Sequence, residues 1–417
     1  MTASPAATGP AAMLDHFAGP QAASDEQAPG TQARRLDIYP ASAGYDLVTE
    51  LDHLAMRSIE PNVFFNPRFL APAMPRLEDR EVRLAVIRDE RDARSRLRLL
   101  APFSVERPLL RLGPASIRVW SSQFGPLGTP LVDRDDPQSV VADFLRMLKA
   151  ADHGLPKVVL FPDIRADGPF AGVLRSAAAA LNLPMASALE SRRAILQSDQ
   201  DGYTYLKDSL RAHHYRDFRR LERRLADKGD LVHHVAETPD ETRLAVEDFL
   251  SLEASGWKGR AGTAMVVDRF RAAFMREAVS GLSQRALCRI HTLRLDGKPI
   301  ASLVVFVESG VAYTWKTAFD EAYASYSPGV LLMIAVTKRH LEDLNVTVTD
   351  SCAVPDHPVM NRLWQERARF ATFVVGLEPG SDKLVNHAAL GLEREQRLRD
   401  VVRKLRQRVK RTIGRRS

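Results

Sequence analysis

The densest chemistry in this chain follows an apolar strand pattern. Val346 and Val348 alternate with threonines and end at Asp350, and Asp356 and His357 come six and seven positions later. A carboxylate near an imidazole can take a proton from an amine or a hydroxyl, and α/β sheets present their sites at the carboxyl ends of strands. Asp356-His357-Pro358 reads equally well as a capped helix start with proline in the first turn. Upstream, Tyr326-Ser327-Pro328-Gly329-Val330-Leu331 opens a helix directly after a strand. Backbone N–H groups and the positive dipole end make such a start fit for a phosphate or pyrophosphate, cradled at Ser327, Gly329, Val330 and Leu331. Ser-Pro-Gly is also an ordinary N-cap and first turn. Tyr326 stands where it can protonate a departing group, with Tyr313 and Tyr323 competing for that role and core packing the alternative for all three.

Other chemical residues are scattered. Alternation along Val311–Ala318 puts Tyr313 and Trp315 on one strand face, read as core, and Lys316 on the other, toward substrate or solvent. Arg211, Arg216, Arg219, Arg220, Arg223 and Arg224 crowd one helical stretch, either gripping phosphates or forming a solvated face. His213-His214 and His233-His234 lack metal-ligand companions and read as surface residues. No H-E-x-x-H, C-x-x-C, G-x-G-x-x-G, P-loop or G-x-S-x-G pattern occurs, which lowers the case for a zinc enzyme, a Rossmann dehydrogenase, an NTPase or a serine hydrolase. No metal is expected.

The elements that must position these groups come in two runs. Strands at Glu81–Arg88, Arg96–Val105 and Ser116–Ser122 lead through the loop Phe124–Pro130 to a helix at Gln138–Ala151, then strand Val158–Pro162 and helix Gly172–Leu181. A long helix Tyr203–Lys228, closed by Gly229, and another at Asp240–Ser255 open the second run. Strands Ala286–Leu295 and Pro299–Glu308 follow, joined by the hairpin signal Asp296-Gly297. Strand Val311–Ala318, the Ser-Pro-Gly helix to about Asp343, strand Val346–Asp350 and a helix Val359–Arg369 complete it. Both runs go from a hairpin through a further strand and a Gly/Pro loop to a helix, a weak internal duplication. Two packed α/β domains are expected, each with its own mixed sheet, over residues 36–189 and 190–378. Residues 1–35, poor in large apolar side chains, read as a disordered tail.

With 417 residues, 45% apolar and 27% charged, the chain is globular in composition and large enough for two domains. It has no apolar run near the ~20 residues of a membrane span, no secretion signal pattern, and only Cys288 and Cys352, so a reducing cytoplasm is expected. The net charge of +7 is uneven: Arg397–Ser417 holds ten Lys or Arg and one acid, a balance of +9, leaving 7 − 9 = −2 for the rest. The basic character belongs to the tail, so a DNA-binding body is not expected. Within residues 379–417, Leu398, Val401, Val402, Leu405, Val409 and Ile413 recur every three or four positions. A helix would present them as one stripe against a cationic face, suited to an anionic membrane surface or to packing on the body.

The run GKPIASLVVFVESGVAYTWKTAFDEAYASYSPGVLLMIAV, with upstream RDFRRLERRLADKG and downstream TDSCAVPDHPVMNRLW, resembles the CelD-like, cellulose-biosynthesis-associated acetyltransferases, a GNAT family related to the Fem-type transferases. The similarity spans about Phe64 to Gly376. It implies tandem GNAT-like domains, the N-terminal one degenerate, and acyl transfer from acetyl-CoA or another acyl-CoA to an amine or hydroxyl of a saccharide or cell-envelope precursor. In that setting Tyr326 would protonate the departing thiolate, the pyrophosphate would lie at Ser327–Leu331, and the pantetheine arm would run beside Ala301–Phe306. The superfamily's pyrophosphate loop carries several small residues and a basic one, whereas Ala324–Gly329 has one glycine and no basic residue. Fem-type relatives use aminoacyl-tRNA, so both donors stay open, as does a non-catalytic accessory role in a polysaccharide-synthesis assembly.

Overall fold

The computed structural model describes residues 33–413 apart from 79, 92–93, 109–112 and 151–153. The tail expected at 1–35 lies outside the described residues up to 32; from Ala33 the chain is strand. The first half contains β1 (Ala33–Pro40), α1 (Ala43–Asp46), α2 (Val48–Met56), α3 (Pro67–Leu77), β2 (Arg83–Arg91), β3 (Arg94–Glu106), β4 (Ser116–Val119), β5 (Leu131–Val132), α4 (Pro137–Ala150), β6 (Val158–Arg165), α5 (Pro169–Ala180) and β7 (Met185–Leu196). Helices α6 (Gly202–Ser209) and α7 (Ala212–Ala226) lead to the second half. There follow β8 (Leu231–Ala236), α8 (Pro239–Ser255), α9 (Trp257–Arg260), α10 (Arg269–Ser283), β9 (Cys288–Leu295), β10 (Lys298–Glu308), β11 (Val311–Phe319), α11 (Pro328–Glu342), β12 (Val348–Asp350), α12 (Met360–Leu363), β13 (Glu366–Gly376) and α13 (Asp382–Ile413).

Local chemistry explains many of these boundaries. Thr238 and Glu241 form a reciprocal capping box at the start of α8. Asp296-Gly297 and Ser309-Gly310 both adopt positive φ on both residues, the geometry of tight hairpin turns, and they set the β9–β10–β11 meander. β10 is buried on both faces from Ile300 on, so it reads as a nearly continuous apolar run rather than an alternating one.

The strands form one sheet in the order β1-β2-β3-β4-β6-β13-β7-β12-β11-β10-β9-β8, with β5 added beside β3. From either end the order is the same: four antiparallel strands, then a parallel pair, β4 with β6 or β11 with β12. The centre is an exchange. β13, late in the second half, pairs with β6, and β7, late in the first, pairs with β12; the two also pair with each other. The fold is thus a mixed α/β sheet doubled in tandem. The expected separate sheets are joined into one, and the boundary expected at 189/190 falls inside β7. Local apolar patterning carries no information on which sheet edge a strand joins.

Two helices expected from sequence differ. The stretch 203–228 breaks at Leu210 and Arg211, both extended, because Tyr205, Leu206 and Leu210 bury beneath the sheet while the arginines beyond them need water. Its last turn ends at Asp227 rather than at Gly229. The helix expected over Val359–Arg369 is the single turn α12, after which the chain extends into β13. The halves share a core: Phe69 of α3 meets Phe274, Phe306 and Trp315 edge-on at 5.1–5.8 Å between ring centres.

Candidate functional site

β11 and β12 pair from Val311/Val348 to Tyr313/Asp350 and then part. β11 runs on to Phe319, while the other chain turns away at Ser351, held by Thr314 Oγ1 donating to the Ser351 carbonyl at 3.0 Å. Past Tyr313, then, one edge of β11 has no strand pairing among the described residues. Apart from the Thr317 carbonyl, which accepts from Lys258 Nζ at 3.1 Å, its backbone groups there are available to an extended ligand. β10 offers no such edge, since β9 and β11 occupy both sides. The arm expected beside Ala301–Phe306 is therefore better served by β11.

Asp350 sits at the parting point, 7% exposed. Its Oδ1 accepts the Cys352 N–H at 2.7 Å, and the Arg193 guanidinium lies 3.4 Å away. Arg193 comes from β7, stacks 3.9 Å over the Phe370 ring and donates to the Pro126 carbonyl at 3.2 Å. Asp350, Tyr313, Glu60, Arg165 and Leu127 line a cavity of about 200 Å³ between the two halves. Burial raises the Glu60 pKa, although its carboxylate accepts the Phe170 N–H at 3.0 Å at the start of α5.

Lys316 lies on the same face as Tyr313, contrary to strict alternation. The β10–β11 register slips by one between Val304/Lys316 and Val305/Thr314, so Trp315 is an extra residue in a β-bulge and the faces exchange beyond it. The Lys316 ammonium rests 4.7 Å above Phe124 and 5.2 Å from the Trp315 ring. Burial, outweighing the attraction of Glu253, lowers its pKa to about 8.

The first half supplies the roof. The Phe124 carbonyl accepts Trp315 Nε1–H at 2.6 Å, the Pro61 carbonyl accepts the Tyr313 hydroxyl at 2.9 Å, and Leu127 closes the cavity. A Cβ at Gly125 would meet the Trp120 ring at 2.7 Å, and one at Gly128 the Pro162 carbonyl oxygen at 2.3 Å. The loop seats this closely only with glycine at both positions.

At the start of α11, Ser327 occupies the cap position in a left-handed conformation, φ 53°, and its side chain makes no capping bond. Its carbonyl accepts from Val330 and Leu331 at 2.9 and 3.1 Å, and Pro328 has no N–H. Gly329 therefore presents the foremost N–H of the helix, and a Cβ there would meet only Phe319, at 3.4 Å. Tyr326, half-buried, ends the preceding turn with the Arg224 guanidinium of α7 5.6 Å from its ring. That arginine puts a basic group beside a stretch, Ala324–Gly329, that has none of its own.

Asp356 is exposed at φ 59°. His357 Nδ1 accepts the Met360 N–H at 3.3 Å, at the first residue of α12, and burial lowers its pKa. Among the described residues, no hydrogen bond or ion pair joins either residue to Asp350. His233 is not a free surface residue, since its Nε2 meets His291 Nδ1 at 3.1 Å. Among the described residues no group of three or more His, Cys, Asp or Glu is placed to hold a metal ion, and no helix is long and apolar enough to cross a membrane.

A parallel pair that parts beside a helix start, present twice in one chain, is consistent with tandem acyltransferase domains of the GNAT type. Residues 212–353, from α7 to just past Asp350, match the family model described as an acetyltransferase (GNAT) domain. No curated protein matches the chain. Among solved structures it is similar to FemX, with 9% identity, 80% of this chain and 96% of that one covered, and a TM-score of 0.52. Similarity extends to a tandem GNAT protein from the clavulanic acid biosynthesis pathway, 16% identical over 83% of this chain and all of that one, with a TM-score of 0.37. A DUF2156 domain from Agrobacterium fabrum, the C-terminal part of a protein assigned as a lysylphosphatidylglycerol synthetase, is 15% identical over 84% and 95%, with a TM-score of 0.49. The FemX likeness is one of fold.

Proposed function

We propose that this protein moves an acyl group from an acyl-CoA to an amine or hydroxyl acceptor, a saccharide or cell-envelope precursor. The observation that carries the reading is the free edge of β11 beside the open start of α11, inside the segment that matches the GNAT model. A pyrophosphate at Gly329–Leu331 gains the helix dipole and the Arg224 guanidinium. The pantetheine arm extends along β11 past Tyr313 and brings the thioester to the bulge. There the Lys316 cation stabilises the negative charge that develops on the carbonyl oxygen. The acceptor enters the cavity under the Phe124–Pro130 loop, and Asp350 takes its proton while Arg193 holds the carboxylate in place. Tyr326 returns a proton to the thiolate.

The test is calorimetric titration with acetyl-CoA, a longer acyl-CoA and tRNA in parallel. Binding of acyl-CoA that weakens in Gly329→Glu supports the proposal, and absence of acyl-CoA binding overturns it. One observation favours a second reading, aminoacyl transfer from charged tRNA: Arg211 at the cap of α7 and Arg216, Arg219, Arg220, Arg223 and Arg224 along it are all exposed. Saturable tRNA binding without acyl-CoA binding would select it.

A further inference from the structure

Helix α13 changes partner along its length. Its first turns lie on the sheet, where Val385 and Ala388 pack with Val158, Leu160 and Val374, flanked by Leu384, Ala389 and Leu392. The helix then continues to Ile413, and its apolar side chains come into the open: Leu398 is 49% exposed, Val401 54%, Val402 46% and Leu405 53%. At 3.6 residues per turn these positions, continued in the sequence by 409 and 413, form one stripe rotated by roughly 100° from the stripe on the sheet. The exposed stripe is not the end of the body contact; it points to something else.

Charge identifies what that is. Residues 397–417 carry ten Lys or Arg against Asp400 alone. Arg399 is matched by Glu395 at 2.6 Å and Arg403 by Asp400 at 3.3 Å, which leaves a large cationic excess. A second copy docking stripe to stripe would bring two such segments together against their repulsion. A nucleic acid would engage the cations and leave the four apolar side chains in water. A surface both anionic and apolar engages both. We propose that α13 from Leu398 onward is a docking helix for an anionic lipid bilayer, its stripe in the acyl boundary and its cations among the headgroups. This surface is independent of the acyl donor.

The experiment is co-sedimentation of the full chain with vesicles of phosphatidylglycerol and phosphatidylcholine, or of phosphatidylcholine alone, at low and high salt. The intact protein is expected to pellet with the anionic vesicles at low salt. Partitioning should fall at least tenfold in Val401→Glu/Leu405→Glu, in Lys404→Gln/Arg406→Gln/Arg408→Gln, at high salt, and on neutral vesicles. Circular dichroism of each variant shows whether the fold is kept. Wild-type pelleting by the apolar-stripe variant, or equal binding to neutral vesicles, overturns the proposal. So does a concentration-dependent dimer in sedimentation equilibrium that Val401→Glu/Leu405→Glu abolishes, which would assign the stripe to a second copy.

Discussion

The two halves repeat one topology but differ at the place where their parallel strands part. In the second half the last paired position holds Asp350; in the first it holds Leu160, which packs against α13. The helix starts diverge in the same sense. Asp136-Pro137 opens α4 and Ser327-Pro328 opens α11, each with positive φ on the first residue. The α4 start is already filled with its own ions: Asp133, Asp135 and Asp136 lie there, bound to Arg34, Arg57 and Arg96. The α11 start carries no acid, and Arg224 stands beside it. Carboxylates therefore fill the α4 start, while the surrounding architecture is kept. The α11 start, where we propose the pyrophosphate, is free of acid in its first turn.

Substitutions that treat equivalent places alike should therefore give unequal results. Asp350→Asn is expected to lower turnover by roughly 10²–10⁴, while Asp163→Asn, which neutralises the carboxylate that accepts from Ser121 in the first half, leaves it within about twofold; steady-state kinetics on both decides. Equal losses would erase the distinction. Lys316→Met should cost roughly 10²–10³ in turnover by removing one charge from the oxyanion site. The wild type should lose activity as pH rises past about 8, where Lys316 sheds its proton, and the variant should lack that limb. An unchanged profile would exclude Lys316 from the chemistry.

A third measurement asks whether the halves unfold together. Glu308 is buried and accepts a hydrogen bond from Asn66, the cap of α3, at 2.7 Å. Burial raises its pKa to about 7, so the folded state favours its protonated form. That stabilisation is complete below the ordinary carboxyl range and is lost as pH climbs toward 7, about 3 kcal/mol in all. Urea unfolding across pH 4.5–7.5 should show the decline in wild type and a flatter dependence in Glu308→Gln. Identical slopes would show that another group dominates. The smallest expected effect is on binding: Gly329→Glu should weaken acyl-CoA at least about tenfold by placing a carboxylate at the helix start, whereas Gln138→Glu on α4 should not change it. Unchanged affinity in Gly329→Glu would move the pyrophosphate elsewhere.

The second half was the more legible in sequence. β9, β10, β11 and α11 follow from the Asp296-Gly297 turn, the apolar run after Ile300 and the proline at 328. The central strands were not legible. β7 contains Arg192 and Arg193, and β13 contains Arg367 and Arg369, so neither shows the apolar signature of a buried strand. Arg193 finds its carboxylate, Asp350, only across the exchange, while Arg367 donates to the carbonyls of Asn361, Trp364 and Glu366 next to it in the chain. The Lys316 reversal was likewise hidden, because a bulge is a relation between two strands and leaves no mark in either one. Arg224 reaches Tyr326 only because α6 and α7 bend at Leu210, a break that helix propensity did not signal.

The strand exchange also dictates an order of events during synthesis. When the ribosome has released the chain through Leu196, the first half still lacks the strand that belongs between β6 and β7, and that strand is not made until residue 376. Until then an unpaired β6 edge is open to any passing extended segment. Closure joins Arg165 to Phe370, a distant contact of the kind that slows folding. A gene fragment ending near Leu196 should therefore give an insoluble product, and co-expression with the remainder should rescue it. If β13 closes a neighbouring molecule instead of its own, the product is an interlocked dimer built from the same contacts.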